Sequence, residues 1–362
     1  FRSRIQLYEW AGLRKIGQHC PENDRPDMDP ISQGLIGSTA SQSAATNPNH
    51  YRWIFLIGFL AGMAPDLDIF IKSDEDPLLF LDFHRQFTHS LIFIPIGGLL
   101  VATLFNALFH KITPLTFRQT WLYATLGYAT HGLLDGCTSY GTQLLWPFTD
   151  QRFAWNNVSI VDPLFTLPIL TLSALSLIRK KSWFPRAALL YALFYLSIGL
   201  VQNHRAENLL FELAQQRGHQ ASQVTVKPSF GNLVLWKLIY EHDGRYYVDA
   251  ARILVDSDII SGQSIEKLNL EKHLPWLQAD SIHTRDIERF RWYSDDYLTI
   301  HPQNREMVID VRYSMIPNEI KPLWGILLNP KSQHQHVEFI HTRSKESQDQ
   351  KRFLSLLFNL TE

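Results

Sequence analysis

Residues 84–109 read HRQFTHSLIFIPIGGLLVATLFNALF. From 90 onward the stretch holds no Asp, Glu, Lys or Arg, and its length and character suit a helix that crosses a bilayer. Directly before it, two histidines, an arginine and two hydroxyl residues share seven positions. Ionisable side chains at membrane depth are costly and usually face a cavity or a partner. A cluster at the mouth of a span is therefore read as a functional site.

Four further runs approach the same length: 53–71, 119–136, 160–178 and 185–202. The first is interrupted by Pro65 and two aspartates, so it reads as either a span or a re-entrant segment. Each of the first three carries its own acid or histidine group at one end: PDLD at 65–68, HGLLD at 131–135 and VDP at 161–163. If all five segments cross, alternation puts these groups and HRQFTHS on one side of the membrane. Scattered core polar residues have no reason to align in this way. The expected fold is a multi-pass α-helical membrane bundle of four to five spans over residues 28–202.

Charge density separates this region from the rest. Between positions 53 and 202, 18 of 150 residues are charged, against 51 of the remaining 212. The formal net charge of −1 gives no electrostatic basis for nucleic-acid binding. Cys20 and Cys137 are distant and flank no ligand spacing, so neither a disulfide framework nor a thiolate zinc site is indicated. Residues 1–27 lack the apolar core of a secretory signal and are expected to be a leader or a disordered extension. The loops opposite the clusters carry Lys111, Arg118, Arg179, Lys180, Lys181 and Arg186; the cluster side has Lys72, Arg85 and Arg152. The positive-inside rule turns the clusters, and the C-terminal region with them, away from the cytoplasm.

After Asn203 the pattern changes. Residues 204–218 keep a helical period, but VTVKP, NLVLWKLIY, RYYVDAARIL, MVIDVRY and HVEFIH alternate as β-strands do. Turn signals such as HDG at 242–244 separate them. A water-soluble α+β or mainly β domain is expected over residues 203–362. Its histidines, at 283, 301, 334, 336 and 341, read as solvent-exposed.

Asp and His without cysteine are ligands for zinc, manganese or another divalent ion. Asp66 and Asp68, one residue apart after a helix-stopping proline, can converge on one cation. His131 and Asp135, four apart, share one helical face and can chelate together or pair as ligand and orienter. His84 and His89 bracket the seven-residue cluster. Thr88 or Ser90 is expected to cap the following helix, and Arg85 offers a donor fork matched to phosphate or carboxylate. Asp162 stands where a carboxylate caps a helix and is also a candidate general base. Gly58 and Gly62 form a small-xxx-small packing pair.

The order MDPISQGLIG, PDLD, HRQFTHS, then HGLLDGCTSYGTQLLWPFTDQRFAWNNVSIVDPLFTLP resembles the bacterial membrane-bound metal-dependent hydrolases, in particular longer members with a C-terminal extension, which PSFGNLVLWKLIY at 228–240 also resembles. The resemblance implies an inner-membrane protein with divalent-metal ligands at Asp66, Asp68, His84, His89, His131 and Asp135. Many relatives have histidine where this chain has Gln33. The function expected is metal-dependent hydrolysis of a phosphoester or lipid-derived substrate at the membrane face. Arg85, with Thr88 or Ser90, would hold an anionic group, and membrane lipids would be its surroundings. The alternative is a non-catalytic metal-binding scaffold or sensor whose C-terminal domain binds a partner.

Overall fold

The computed structural model describes residues 29–342 and 347–359. The expected leader at 1–27 lies outside the described residues. The N-terminal region is helical: α1 (Pro30–Ser43), α2 (Tyr51–Met63), a short α3 (Leu79–Phe83), α4 (Ile94–Phe109), α5 (Phe117–Gly136), α6 (Pro163–Arg179) and α7 (Trp183–Gln216). Three segments are long and apolar enough to cross a membrane: Pro48–Phe70, Leu91–Phe109 and Trp183–Gln216. Of the other expected spans, α6 is apolar but shorter, and α5 is diluted by its own polar side chains.

At the centre of the bundle is α1, packed against α2, α5, α6 and α7. Its buried residues are mostly Ser, Thr, Gln and Gly rather than large aliphatics. Side-chain hydrogen bonds make this burial tolerable. Ser32 pairs with Thr166 at 2.5 Å, Thr39 with Ser173 at 3.1 Å, and Ser41 donates to the carbonyl of Tyr123 at 2.8 Å. Gln42 receives Ser176 at 2.9 Å and donates to Tyr51 at 3.2 Å. Small residues also let the backbones touch. A Cβ on Gly37 would lie 2.5 Å from the carbonyl oxygen of Gly58, and one on Gly127 would lie 2.6 Å from the same atom. Three helices therefore cross at Gly58.

The C-terminal region builds two four-stranded antiparallel meanders. The first comprises β1 (Val224–Pro228), β2 (Leu235–His242), β3 (Arg245–Ile253) and β4 (Ser257–Glu266); the second comprises β5 (Leu298–His301), β6 (Asn304–Asp310), β7 (Trp324–Leu327) and β8 (Glu338–His341). Helices α8 (Leu270–His273) and α9 (Ile282–Tyr293) lie between the sheets in sequence, and α10 (Ser347–Phe358) follows them. The HDG signal is the β2–β3 turn, with Asp243 and Gly244 both at positive φ. His283 departs from the exposed expectation. It is buried, and its ring bonds the backbone of Asn329 and Gln335, so it serves a loop rather than solvent.

Bundle and sheets share one apolar core. Leu210 and Ala214 of α7 pack with Trp236 and Tyr240 of β2, in the same cluster as Leu35 of α1 and Phe165 of α6. Leu78, from the loop before α3, is buried in the core of the second sheet. Polar bonds repeat this docking. Arg289 of α9 bonds Asp76 at 3.0 Å and Asp82 at 2.5 Å, and Tyr313 donates to the carbonyl of Ser139 at 2.7 Å. The sheets thus sit on the end of the bundle where the acid and histidine groups lie.

Candidate metal centre

Pro65 ends α2, and residues Ala64–Phe70 continue as a 3₁₀ turn that holds Asp66 and Asp68. The chain then returns through α3 to Phe87–His89, another 3₁₀ turn. Arg85 sits between them at φ 67°, a left-handed conformation that side chains other than glycine adopt reluctantly. From α5, His131 and Asp135 reach the same place from one face. Asp66, His89, His131 and Asp135 converge, with one ligand-type atom from each lying within 4.8 Å of the others.

The distances describe a compact tetrad. His89 Nε2 is 2.9 Å from His131 Nε2, 3.4 Å from Asp66 Oδ1 and 3.3 Å from Asp135 Oδ2. His131 Nε2 is 3.2 Å from Asp66 Oδ1 and 4.0 Å from Asp135 Oδ2. Ligands of a tetrahedral ion with bonds near 2.1 Å stand about 3.4 Å apart, and the tetrad brackets that spacing. Hydrogen bonds behind the rings assign their tautomers. His131 Nδ1 donates to the carbonyl of Gly62 at 2.6 Å. His89 Nδ1 faces Thr88 Oγ1 at 2.9 Å, and that hydroxyl donates onward to Asp68 at 2.5 Å. In the neutral form each ring then turns its Nε2 lone pair towards the other ring and the two carboxylates. Four acceptors facing one another repel unless a cation joins them, so these residues fit a divalent ion. Asp66 Oδ2, buried with no hydrogen-bond partner among the described residues, fits it as well.

The other expected ligands stand behind the tetrad. Asp68 accepts from His84 Nδ1 at 2.7 Å and from the backbone of Arg85 at 3.3 Å, and lies 3.3 Å from His89 Nδ1. This is how a carboxylate orients a ligating histidine. Arg85 Nε lies 3.3 Å from Asp135 Oδ2, and its guanidinium lies over Tyr140 at 4.9 Å. Gln33 donates to Asp135 Oδ1 at 2.8 Å. Gln33 therefore holds a carboxylate of the tetrad.

The expected cap at Thr88 or Ser90 differs from the structure, whereas the one at Asp162 is present. Neither Thr88 nor Ser90 caps α4, which begins only at Ile94 after a further 3₁₀ turn. Ser90 donates to the carbonyl of Phe87 instead. Asp162 caps α6 through Leu164 and Phe165 and accepts from the Tyr195 hydroxyl at 2.8 Å, and it does not join the tetrad. Sequence reasoning also missed Gly132, where a Cβ would lie 2.2 Å from the carbonyl oxygen of His89. A glycine next to a candidate ligand in HGLLD was the available signal.

A second acid and histidine group, Asp76, Asp286 and His336, lies in the docking interface. Arg289 bonds both of its carboxylates, so a guanidinium already supplies the positive charge.

A helical membrane bundle closed at one end by a buried Asp–His tetrad defines the class: a polytopic membrane protein with a candidate metal centre. Residues 28–206 match the family described as YdjM inner membrane protein. Among curated relatives, the uncharacterized protein YfhP of Bacillus subtilis (strain 168) is 28% identical over 109 residues, 30% of this chain and 32% of that protein. Inner membrane protein YbcI of Escherichia coli (strain K12) is 30% identical over 102 residues, 28% of this chain and 57% of that protein. The chain thus spans less than two thirds of each relative's length. No solved structure matches. The family match and the apolar helices support an inner-membrane location, and none of these descriptions names a hydrolytic activity.

Proposed function

We propose that the chain is a membrane-embedded, metal-dependent hydrolase with Asp66, His89, His131 and Asp135 as its metal ligands. The observation that carries this is the convergence of four acceptor atoms, two of them imidazole nitrogens whose tautomers are set from behind. A divalent ion held there supplies Lewis acidity towards a scissile ester. Asp68, Thr88 and His84 keep the His89 ring in place, and Gly62 does so for His131. Arg85 balances Asp135 and orients it. Of the four ligand side chains, only that of Asp66 has measurable exposure, 13% against none for the others. Substrate therefore approaches on the Asp66 side of the tetrad. A phosphoester or lipid-derived substrate fits a site at the end of apolar helices. In this reading α5 and α6 cross the membrane with the three longer spans, and the tetrad and the sheets face away from the cytoplasm.

The same burial favours one rival, a structural ion in a non-catalytic scaffold. Metal analysis of detergent-purified protein tests both. One divalent ion per chain is expected in the wild type, and Asp66→Ala or His131→Ala should lose it. Absence of metal from the wild type sinks both readings. Given metal, chelator-sensitive turnover of phosphodiester or phospholipid substrates supports the hydrolase. Turnover that ignores the chelator, or none on any ester, leaves the scaffold.

A further inference from the structure

Above the loops that follow α5 and precede α6 lies a cavity of about 270 Å³, closed on its other side by the sheets. Tyr140 and Ile160 contribute to its bundle wall, while Lys227, Ser229, Lys237 and Tyr313 contribute to its sheet wall. Lys227 and Lys237 are directly opposite each other in the β1–β2 register, so their stems share one face. They are only 5% and 4% exposed. Lys227 Nζ donates to the carbonyl of Ser139 at 3.3 Å and lies 3.9 Å from the centre of the Tyr313 ring. Lys237 Nζ donates to Ser314 Oγ at 2.8 Å and to the carbonyl of Glu319 at 3.0 Å.

Neither ammonium group has a carboxylate within ion-pair distance among the described residues. The nearby acids are engaged elsewhere: Asp310 and Asp295 hold Arg312, and the Glu319 carboxylate pairs with Arg352. An ammonium has three protons to donate, so among the described residues Lys227, with one side against the Tyr313 ring, has two without a hydrogen-bond acceptor and Lys237 has one. In the same wall, Ser229 Oγ is buried without a hydrogen-bond partner among the described residues. Burial pushes both ammonium groups down, Lys237 to about 7. Two like charges held out of water, with donors unfilled and a cavity before them, call for an anion.

We propose that this cavity binds a phosphate-bearing anion, its oxygens taking the spare donors of Lys227, Lys237 and Ser229 above the stacked rings of Tyr140 and Tyr313. Multiple charge-assisted hydrogen bonds are the usual means of holding phosphate. The site is chemically the reverse of the Asp–His tetrad, rich in donors rather than acceptors, and it stands whether or not the tetrad binds metal. The two are neighbours, because the Tyr140 ring that lines the cavity carries Arg85 against it. Ile160 lies just before α6, which puts the cavity beside the membrane-facing helices, within reach of a lipid headgroup or of a free phosphate compound.

The test uses the full chain as purified in detergent or nanodiscs, with metal content measured on the same preparations, so that anion binding and metal binding are read separately. Probes are inorganic phosphate, glycerol 3-phosphate and phosphatidylglycerol, with phosphatidylcholine as the neutral-headgroup control. Saturable binding of at least one anionic probe, with a rise in melting temperature, is expected for the wild type. Lys227→Met and Lys237→Met should each weaken it about tenfold or more, and Ser229→Ala severalfold. Without ligand, the methionine variants should melt no lower than the wild type, since a buried charge has gone. Preference for phosphatidylglycerol over glycerol 3-phosphate identifies a headgroup site; the opposite preference identifies a free compound. Absence of binding by every anionic probe overturns the proposal, as does equal affinity in wild type and lysine variants. Should one methionine variant fail to fold, unchanged binding in the other and in Ser229→Ala overturns it equally.

Discussion

At Gly132 there is room for a hydrogen atom and nothing more, because α5 passes directly against the carbonyl of His89. Gly132→Ala must push the His89 turn away, and overpacking of this kind costs about 1–3 kcal/mol. The variant should melt lower and lose metal together, with metal content and melting temperature read on one preparation. A variant that keeps both would show that the turn can yield without disturbing the tetrad. Single residues were the most legible part of this chain. His84, Arg85, His89, His131 and Asp135 announced themselves because charge among apolar residues needs a reason. The division of labour among them was not legible. Which histidine meets its neighbour at Nε2, and which carboxylate stands behind, depends on the 3₁₀ turns at 64–70 and 87–89, and a run such as PDLD carries no signal for their exact course.

At the scale of elements, α1 shows why hydropathy alone fell short. PISQGLIGSTASQS has the composition of a loop, yet it is the most enclosed helix of the bundle because Ser, Thr and Gln satisfy one another across helices and glycine lets backbones meet. The strands read from sequence were those with long Val, Ile and Tyr alternation. β4 is largely exposed and polar; β5 and β7 have four residues each, as β8 does, and of these three only β8 lies in a run, HVEFIH, that was read as a strand. The β1–β2 pair makes its own prediction. Lys237 titrates near 7 in the folded chain against 10.5 in the ordinary case. It is surrounded by Lys227, Asp310, Glu319 and the paired Arg312. A depressed lysine penalises folding fully below about pH 7, and the penalty fades as pH rises towards 10.5, because only the unfolded chain then binds the proton. Ligand-free wild type should therefore gain stability relative to Lys237→Met between pH 7 and 10, on the order of a few kcal/mol. Parallel melting curves across that range would refute the burial of a charged ammonium there.

For the whole molecule, the contacts of the sheets with Asp76, Asp82 and Ser139 put the C-terminal region and the tetrad on the same side of the bundle. The sequence had suggested this by alternation of spans; it could not show that the sheets dock directly on the site. Reporters fused after Glu362 are expected to be active as periplasmic enzymes and silent as cytoplasmic ones. The reverse result would invert the sidedness proposed for both regions at once. The longest helix joins them. α7 has 34 residues and runs about 51 Å at 1.5 Å per residue, while the hydrocarbon layer takes about 30 Å. It is a drive shaft: its lower part is keyed to the loop before α6, where Gly199 meets the carbonyl of Asn157, and its upper part is keyed to β2 through Leu210. Each residue turns a helix by about 100°, so the two keys stay in phase only at the present spacing. One alanine inserted after His204 should swing Leu210 off Trp236 and expose the sheets to protease. Seven inserted alanines, close to two full turns, should restore the phase but lift the sheets by about 10 Å. That would open the gap between Ser139 and Tyr313 while the bundle keeps the tetrad intact, making the distance between membrane and sheets an adjustable quantity.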